Sequence, residues 1–345
     1  MRAAVVYEHG DRDVIRLVDD YPRPGAAPGW VVLRVGATSV NYHDIFTRRG
    51  MPGIRIPLPI VIGSDVAGEI AEIGKGVEGW SVGERVLVDP LPCEATNGLF
   101  LGEKLDGGRA EFCAVHSEQL VRIADSVSYE QAASLPIAYG TSYRMLFTRG
   151  GLRAGETVLI LGASGGVGTS CVLLAKMAGA EVIACASSDG KLAQLGEIGA
   201  DHLVNYRRDD MREAVYDIVG KPRVAGTGGV DVAVNYTGGK TWKETLRCVR
   251  LGGRMLTCGA TAGFDEEVDC RYVWTFEHTI IGSDGWRRQE IVDMLSQVEA
   301  GKLEPVIHKV LPLDEIREAD RLLEDREAFG KVIVTPRTVD ATGPA

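Results

Sequence analysis

The stretch Val158-Leu-Ile-Leu-Gly-Ala-Ser-Gly-Gly-Val-Gly168 decides the fold of this chain. An apolar run leads into closely spaced glycines, and helix-forming sequence follows over 169–178. Ala163, Gly165 and Gly168 occupy the positions of an A-x-G-x-x-G variant of the dinucleotide motif, in the strand–turn–helix context that the motif requires. Such a turn lets the backbone approach a pyrophosphate at a helix N-terminus, whose N–H groups and dipole favour anions. We therefore predict phosphate contacts from Ala163, Ser164, Gly165, Gly166 and Val167.

Apolar strands alternate with amphipathic helices after this stretch. Glu181–Ala186, Val230–Val234 and Gly253–Cys258 have the composition of buried strands, with helical sequence between them. Such strands indicate a parallel sheet that is covered by helices on both faces. The sequence therefore predicts an α/β fold with a doubly wound sheet.

The beginning and the end of the chain have a different pattern of apolar and turn-forming residues. Residues 1–125 contain short alternating strands separated by glycine turns, and strand patterns return in the last 40 or so residues. Short strands with frequent turns indicate a compact, partly closed β domain. We predict a β-rich domain from 1–125 and 303–345, a second domain over 126–302, and a disordered tail over Thr338–Ala345.

The end of the second apolar strand predicts which dinucleotide binds. NAD enzymes place Asp or Glu there for the ribose 2′-hydroxyl, whereas this chain has Ala186 near that position. Ser187, Ser188 and Lys191 follow, and two hydroxyls with an ammonium group suit a 2′-phosphate. Asp189 is expected to point to solvent or to cap the next helix, and Lys191 is also consistent with a solvated helix residue. We predict NADPH rather than NADH.

The composition excludes several classes of function. The chain has 345 residues and a formal net charge of −10, which argues against a nucleic-acid surface. No apolar run approaches the ~20 residues of a membrane span, and the N-terminus lacks the core of a signal peptide. The seven cysteines contain no Cys-x-x-Cys pair, so neither a disulfide framework nor a zinc knuckle is indicated. We expect a cytoplasmic protein with a small-molecule substrate and no nucleic-acid or membrane partner.

Five motifs span nearly the whole chain, namely Val40–Gly50, Pro59–Gly68, Gly83–Val86, Gly162–Gly168 and Gly199–Tyr206. Together they resemble the medium-chain dehydrogenase/reductase superfamily, on the branch of quinone oxidoreductases and enoyl reductases. The resemblance implies a GroES-like catalytic domain for the β-rich part and a Rossmann domain for residues 126–302. It also implies a homodimer joined through the edge strand near Ile280.

Departures from the zinc-containing members predict a site without metal. Positions that hold Cys, His-Glu and Cys in zinc alcohol dehydrogenases hold Asn41, Ser64, Asp65 and Ile137 here. Zinc needs about three protein ligands of sulfur, nitrogen or oxygen type, and Asp65 alone remains. The four-cysteine structural zinc loop is also missing. We predict no metal ligands.

Without a Lewis acid, hydride addition to an activated C=C bond or a quinone remains feasible, since a hydrogen-bond donor and a proton source suffice. Tyr42 resembles the tyrosine of enoyl reductases, which implies a proton donor or an oxygen clamp; the alternative is a packed aromatic whose hydroxyl bonds the backbone. Asn41 resembles the substrate-orienting asparagine of the family. His43 occupies the position of the relay hydroxyl and is an alternative acid, or else a polar residue whose bonds are satisfied.

The resemblance implies further cofactor contacts. Thr141 is expected near the nicotinamide, Tyr206 beside the adenosine 2′-phosphate, and Lys331 at the cofactor cleft, which it closes in relatives. Asn235 and the pair Gly259–Ala260 follow parallel strands, at the carboxyl ends where ligands bind.

Three functions agree with these residues. The first is an NADPH-dependent, metal-independent reductase of enoyl or α,β-unsaturated carbonyl compounds or of quinones. The second is an alcohol or aldehyde dehydrogenase of the same superfamily, and the third is a non-catalytic NADPH-binding protein. The proton source (Tyr42, His43 or solvent) stays open at this point, as does the choice between dimer and tetramer.

Overall fold

The computed structural model describes residues 1–265 and 267–336, which form two compact units. The split unit combines residues 1–138 with the chain from 291 onward, and the inner unit runs from Tyr139 to Glu290. The predicted tail Thr338–Ala345 lies outside the described residues.

The split unit is rich in short strands. It contains β1 (Ala3–Val6), β2 (Ile15–Val18), β3 (Trp30–Ser39), β4 (Ile60–Val61), β5 (Asp65–Ile73), β6 (Arg85–Val88), β7 (Phe112–His116) and β8 (Leu120–Arg122). Two further strands follow the inner unit, β15 (Ile307–Pro312) and β16 (Lys331–Thr335). Its helices are α1 (Tyr42–Arg49), α2 (Tyr129–Ala133) and α10 (Ile316–Glu324).

These strands form two sheets. One has the order β2-β1-β4, and the other has the order β15-β16-β3-β5-β6-β8, with β7 also paired to β3. Strand β3 is the centre of the larger sheet, and its alternate residues Val31, Leu33 and Val35 belong to one buried apolar cluster. This period of two places one face of β3 in the core, as the alternating sequence predicts.

The inner unit contains a single six-stranded parallel sheet. Its strands are β9 (Thr157–Ile160), β10 (Glu181–Ala186), β11 (His202–Asn205), β12 (Val230–Val234), β13 (Val249–Thr257) and β14 (Thr279–Gly282). The order is β11-β10-β9-β12-β13-β14, and every pair is parallel. Counted from β9, this is the doubly wound order 3-2-1-4-5-6 of the Rossmann fold. The predicted fold class is confirmed, and β14 is the edge strand of this sheet.

Helices connect the strands of the inner unit. They are α4 (Gly166–Met177), α5 (Asp189–Glu197), α6 (Met211–Val219), α7 (Thr241–Cys248) and α8 (Cys270–Thr275). Helix α9 (Arg288–Glu299) follows β14, and most of its residues belong to the split unit. Residues 135–149 form wide helical turns that contain α3 (Thr141–Tyr143). No helix in the described part of the chain has the length and apolar character needed to cross a membrane.

The unit boundaries differ from the predicted domain boundaries. The sequence places them at 125/126 and 302/303, whereas the compact units change at 138/139 and 290/291. The first difference arises because α2 packs on the strands of the split unit. The Tyr129 ring fills the space beside Gly36, where an added Cβ would lie 2.3 Å from the ring, and Arg85 stacks 4.6 Å from the ring centroid.

Candidate functional site

Helix α1 carries the predicted catalytic residues and begins at a polar cap. The Asn41 backbone N–H donates to Asp44 Oδ2 at 2.9 Å, the reciprocal bond of a capping box. Asp44 Oδ1 accepts from the backbone N–H and hydroxyl of Ser64, each at 3.3 Å. The start of α1 is therefore tied to the segment that precedes β5.

Asp65 is a fully buried carboxylate whose two oxygens both accept hydrogen bonds. Oδ2 accepts from Ser39 Oγ at 2.6 Å, from Asn41 Nδ2 at 2.9 Å and from Lys331 Nζ at 3.5 Å. Oδ1 accepts from the Ile137 backbone N–H at 3.0 Å. Burial raises the pKa of Asp65, while Lys331 and these hydrogen bonds oppose the rise. Both oxygens of the Asp65 carboxylate therefore accept hydrogen bonds from groups of the protein itself.

Lys331 is buried together with Asp65 and does not present its charge to solvent. Nζ donates to Val40 O at 3.2 Å and to Asn41 Oδ1 at 2.5 Å, besides Asp65. An ammonium group has three N–H donors, so these contacts use all of them. Burial lowers the pKa of Lys331, and the Asp65 charge opposes the decrease. The position of Lys331 at a cofactor cleft stays a prediction; in the structure its ammonium group holds Asn41 and Asp65.

Asn41 was predicted to orient a substrate, and the structure places it in the same cluster. Its amide donates to Asp65 and accepts from Lys331, and its side chain is almost fully buried. These bonds fix the amide, because donor and acceptor atoms are both engaged. Asn41 therefore links the strand end at β3 to β5 and β16.

Tyr42 makes a structural hydrogen bond. Its hydroxyl donates to the Leu323 backbone carbonyl of α10 at 3.1 Å, and its ring lies 6.1 Å from the Phe46 ring. This arrangement matches the alternative interpretation of Tyr42, a packed aromatic whose hydroxyl bonds the backbone. To protonate a substrate, Tyr42 would have to break this bond.

His43 has a carboxylate partner that the sequence does not reveal. Nε2 lies 3.3 Å from Glu103 Oε2, close enough for an ion pair although the bond is poorly aligned. The Phe100 ring lies 4.8 Å from the imidazole. Burial lowers the pKa of His43, but the contact with Glu103 and the charges of Asp44 and Asp65 outweigh burial, so the pKa is raised overall. His43 is thus favoured as a cation.

Beneath α1 lies a buried network of charges. Arg109 Nη2 lies 3.4 Å from Asp44, and its Nη1 lies 3.0 Å from Asp320. Arg48 forms ion pairs with Asp320 and Glu324 of α10. Burial raises the pKa of Asp320, and the two arginines oppose the rise. The network fixes α1, and thus Tyr42 and His43, to α10.

In the inner unit, the glycine turn has the predicted geometry. It follows β9 and leads into α4, whose N-terminal cap is Gly165. A Cβ at Gly168 would lie 2.5 Å from the backbone of Ala163, so only glycine permits this close packing. The four residues from Ser164 to Val167 are partly exposed, and the first N–H groups of α4 have no intrahelical partner. This turn fits a pyrophosphate.

The end of β10 brings together the residues predicted to select the nucleotide. Ser188 caps α5, since its Oγ accepts from the Lys191 backbone N–H at 3.4 Å, and its O–H remains available to donate. Ser187 and Lys191 are partly exposed, and Tyr206 is 42% exposed. Asp189 Oδ1 accepts from Asn205 Nδ2 at 2.8 Å instead of capping the helix.

Arg208 was missed by sequence reasoning. Its guanidinium lies 3.2 Å from Asp189 and 2.9 Å from Asp209, and its side chain is 63% exposed. The signal was the basic pair that follows Tyr206, which contains Arg207 as well. Arg208 adds an exposed cation beside Ser187–Lys191.

Asn235 holds a turn at the end of β12. Its Nδ2 donates to Thr241 and Thr245, and its Oδ1 accepts from the N–H groups of Thr237 and Gly238. The contact of Asn235 with a cofactor stays a prediction; in the structure its side chain shapes the backbone at this edge of the sheet.

The predicted residues after β13 lie at a cavity. Gly259 is exposed, Ala260 and Thr141 are partly exposed, and Gly259 lines a cavity of about 500 Å³ in the inner unit. Its other lining residues are Arg144, Arg149, Thr257, Cys258, Gly282, Ser283 and Asp284. The cavity is at the carboxyl ends of β13 and β14, the side of such a sheet where ligands bind.

One group of potential metal ligands occurs within residues 1–265 and 267–336. Cys93, His116 and Glu118 bring ligand atoms within 4.8 Å of one another. His116 Nδ1 accepts from the Glu118 backbone N–H at 3.3 Å, so a neutral ring with this bond carries its proton on Nε2. A metal would have to replace that bond or that proton. The group is separate from Asp65.

Comparison with known proteins identifies both parts of the chain. Residues 27–125 match the family described as "Alcohol dehydrogenase GroES-like domain", and residues 166–300 match "Zinc-binding dehydrogenase". The acryloyl-coenzyme A reductase of Metallosphaera sedula is 31% identical, over 97% of this chain and 100% of the relative. The quinone oxidoreductase of Rattus norvegicus is 31% identical, over 97% of each chain.

A crystal structure of an NAD-dependent alcohol dehydrogenase superposes on this chain with a TM-score of 0.90 and 32% identity, covering 98% of this chain and 100% of the other. The match extends through the GroES-like and the parallel-sheet parts. The chain therefore belongs to the medium-chain dehydrogenase/reductase superfamily, whose members are oxidoreductases that use a pyridine nucleotide.

Proposed function

We propose that the protein is an NADPH-dependent reductase that adds hydride to an activated C=C bond or a quinone without a protein-bound metal. The observation that carries this proposal is the complete engagement of Asp65, the remaining ligand-type residue at the positions where zinc relatives bind metal. Its oxygens accept from Ser39, Asn41, Ile137 and Lys331.

The chemistry of this donor set argues against zinc. A zinc ion placed at Asp65 would have to displace the Lys331 ammonium group, because a cation and an ammonium group cannot both occupy one side of a buried carboxylate. Ile137 offers no ligand side chain, and the Asn41 amide is already bonded at both ends. Zinc needs about three protein ligands, and fewer are available at these positions.

At a site without metal an isolated carbonyl loses the Lewis acid that polarises it, whereas a conjugated C=C bond or a quinone delocalises the incoming charge onto oxygen. NADPH, when bound, would supply the hydride from its nicotinamide. The turn Ala163–Val167 would hold the pyrophosphate. Ser187, Ser188, Lys191 and Tyr206, with Arg208, would surround the 2′-phosphate, since several donors and two cations favour that anion.

Two relatives support this substrate class. The names of the Metallosphaera sedula and rat proteins describe an acryloyl-coenzyme A reductase and a quinone oxidoreductase. Reduction of a conjugated bond or a quinone is common to both names. An alcohol or aldehyde dehydrogenase is the second candidate, favoured by the close superposition on an NAD-dependent alcohol dehydrogenase.

We also propose that the protein forms a homodimer through β14. This strand ends the six-stranded sheet, and Ile280 is 41% exposed there. An open strand edge with apolar residues is suited to pairing with a second copy.

The function is tested by following nicotinamide absorbance with purified protein before and after treatment with a chelator. We expect NADPH to be oxidised with a 2-enoyl thioester, an α,β-unsaturated ketone or a quinone, at a rate that chelation leaves unchanged. NADH should serve less well. Oxidation of simple alcohols that requires added zinc would establish the second candidate instead, and tight NADPH binding without turnover on this panel would establish a non-catalytic binding protein.

Measurement of the zinc content needs a matched variant, because Cys93, His116 and Glu118 are potential zinc ligands away from Asp65. Any zinc that Cys93→Ser removes without loss of turnover belongs to Cys93, His116 and Glu118. Stoichiometric zinc that persists in this variant and whose removal stops turnover would contradict a metal-free site.

A further inference from the structure

Glu103 is held next to His43 by a rigid loop. The backbone N–H groups of Glu103, Lys104 and Leu105 all point at Phe100 O, at 3.0 to 3.3 Å. A Cβ at Gly102 would lie 2.8 Å from the Gly63 backbone, so this loop is packed directly against the segment that precedes β5. Glu103 is only 7% exposed. Its carboxylate therefore approaches His43 from a fixed position.

Negative charge dominates the surroundings of His43. Glu103, Asp44 and Asp65 all favour the imidazolium form, and the Phe100 ring covers one side of the imidazole. Three cations neutralise these carboxylates in part. Lys104 Nζ lies 4.0 Å from Glu103, Arg109 pairs with Asp44, and Lys331 pairs with Asp65. The pKa of His43 is nevertheless raised, although burial by itself lowers it.

The two ring nitrogens of His43 have different surroundings. Nε2 is buried and faces Glu103 Oε2. Nδ1 makes no hydrogen bond within the described residues, and the side chain keeps 28% of its surface exposed. A doubly protonated ring can therefore keep one N–H toward Glu103 and offer the other. Tyr42 has no comparable freedom, because its hydroxyl donates to Leu323 O.

We propose that His43 is the proton donor of the reductase and that Glu103 is the positioning residue that keeps its imidazole charged and oriented. This inference rests on the proposed function. After hydride has formed the new C–H bond at the β-carbon, the electron pair of the C=C bond resides on an enolate. The Nδ1–H bond of His43 then breaks, and the proton forms the C–H bond at the α-carbon. His43 is left neutral and regains a proton from water.

The first test measures the pair of His43 and Glu103, here called the dyad, without any substrate. Nuclear magnetic resonance titration of the six histidines, with the His43 signals assigned from their loss in His43→Gln, gives the pKa of His43. Glu103→Gln should lower this pKa by about one unit or more, because it removes the adjacent charge but keeps the shape. Glu94→Gln, an exposed glutamate earlier in the same loop region, is the control and should leave it unchanged. An unchanged pKa in Glu103→Gln would overturn the role of Glu103.

The second test measures turnover against pH with a 2-enoyl substrate. Because a raised pKa keeps His43 protonated up to a higher pH, kcat should fall on the alkaline side, and Glu103→Gln should move that fall to lower pH. His43→Gln should reduce kcat about 100-fold and remove this limb. His202→Gln is the matched control, since His202 forms an exposed pair with Glu181 at 2.8 Å. A His43→Gln enzyme that keeps wild-type kcat would overturn the donor role.

The two tests separate this inference from the function on which it rests. If the wild-type protein reduces none of the substrates, the proposed function fails while the titration still reports on the dyad. If the protein reduces enoyl substrates and the alkaline limb is unaffected by either substitution, the function stands and the dyad is wrong.

Discussion

The two units of the molecule hold their polar groups in opposite ways. In the split unit, Arg109 lies between Asp44 and Asp320 with all three side chains inaccessible to solvent. In the inner unit, the proposed phosphate site is made of backbone N–H groups and small residues, and its charged neighbours, Arg208 and Asp189, are exposed. The catalytic site that we propose for the split unit therefore depends on charge pairs, whereas the phosphate site that we propose for the inner unit depends on backbone shape.

This difference predicts where single substitutions do most harm. A buried charge without its partner is costly, because no water replaces the lost contact. An exposed charge is solvated again at once. In a glycine turn, an added methyl group matters where the backbone of a neighbour is already in contact, as at Gly168, or where φ is positive, as at Gly162.

The largest effect is expected from Arg109→Met, which leaves Asp44 and Asp320 without their shared cation. Removal of one partner of a buried ion pair costs about 3–5 kcal/mol in the free energy of unfolding. Urea denaturation followed by circular dichroism measures the change. The control is Arg321→Met, whose ion pairs with Glu318 and Glu327 are at the surface, and which should cost no more than about 1 kcal/mol. Equal losses in the two variants would show that burial is not the deciding factor.

The next effect concerns the glycine turn. Gly168→Ala places a methyl group 2.5 Å from the Ala163 backbone, which must shift, so NADPH should bind at least about tenfold more weakly, a loss of about 1.4 kcal/mol. Gly196→Ala is the matched control, because an added Cβ there meets only Leu203 Cδ1 at 3.6 Å, an ordinary van der Waals contact. Calorimetric titration with NADPH measures both. Since Gly196 is within α5, its substitution should stabilise the protein by about 0.5–1 kcal/mol. Normal NADPH affinity in Gly168→Ala would contradict the assignment of the turn.

The smallest effect is expected at Arg208, an exposed cation. Arg208→Ala should lower the affinity for NADPH about threefold to tenfold, because one charge-assisted contact to a 2′-phosphate is lost, and it should leave NADH binding unchanged. Arg250→Ala removes an equivalent partly exposed cation at the start of β13 and serves as the control. An equal loss for both nucleotides would remove Arg208 from the 2′-phosphate site.

The sequence predicts the parts of this molecule that depend on local pattern. Buried strands such as β9 and β10 have continuous apolar sequence, and the turn before α4 requires glycine at 168 for a reason visible in one motif. At the start of α5 the sequence predicts that Asp189 is exposed or forms the cap, whereas Ser188, the residue before it, forms the cap.

The sequence does not predict which distant side chains meet. Glu103 is 60 residues from His43, and Lys331 is 266 residues from Asp65, so no spacing rule connects either pair. Asn235 differs, because its partners lie within ten residues and the turn between β12 and α7 brings them together. Residue type alone indicated a polar contact in each case, and only the fold determines whether that contact is a ligand or another part of the protein.

The pairing of β16 with β3 affects the order in which the chain can fold during synthesis. Strand β3 ends at residue 39, but its neighbour β16 begins only at residue 331. While the ribosome is still producing the interval between them, Asp65 has no ammonium partner and Arg109 has no Asp320. The inner sheet, whose strands are contiguous in the chain, can assemble first, and the split unit becomes complete only when the last strand emerges.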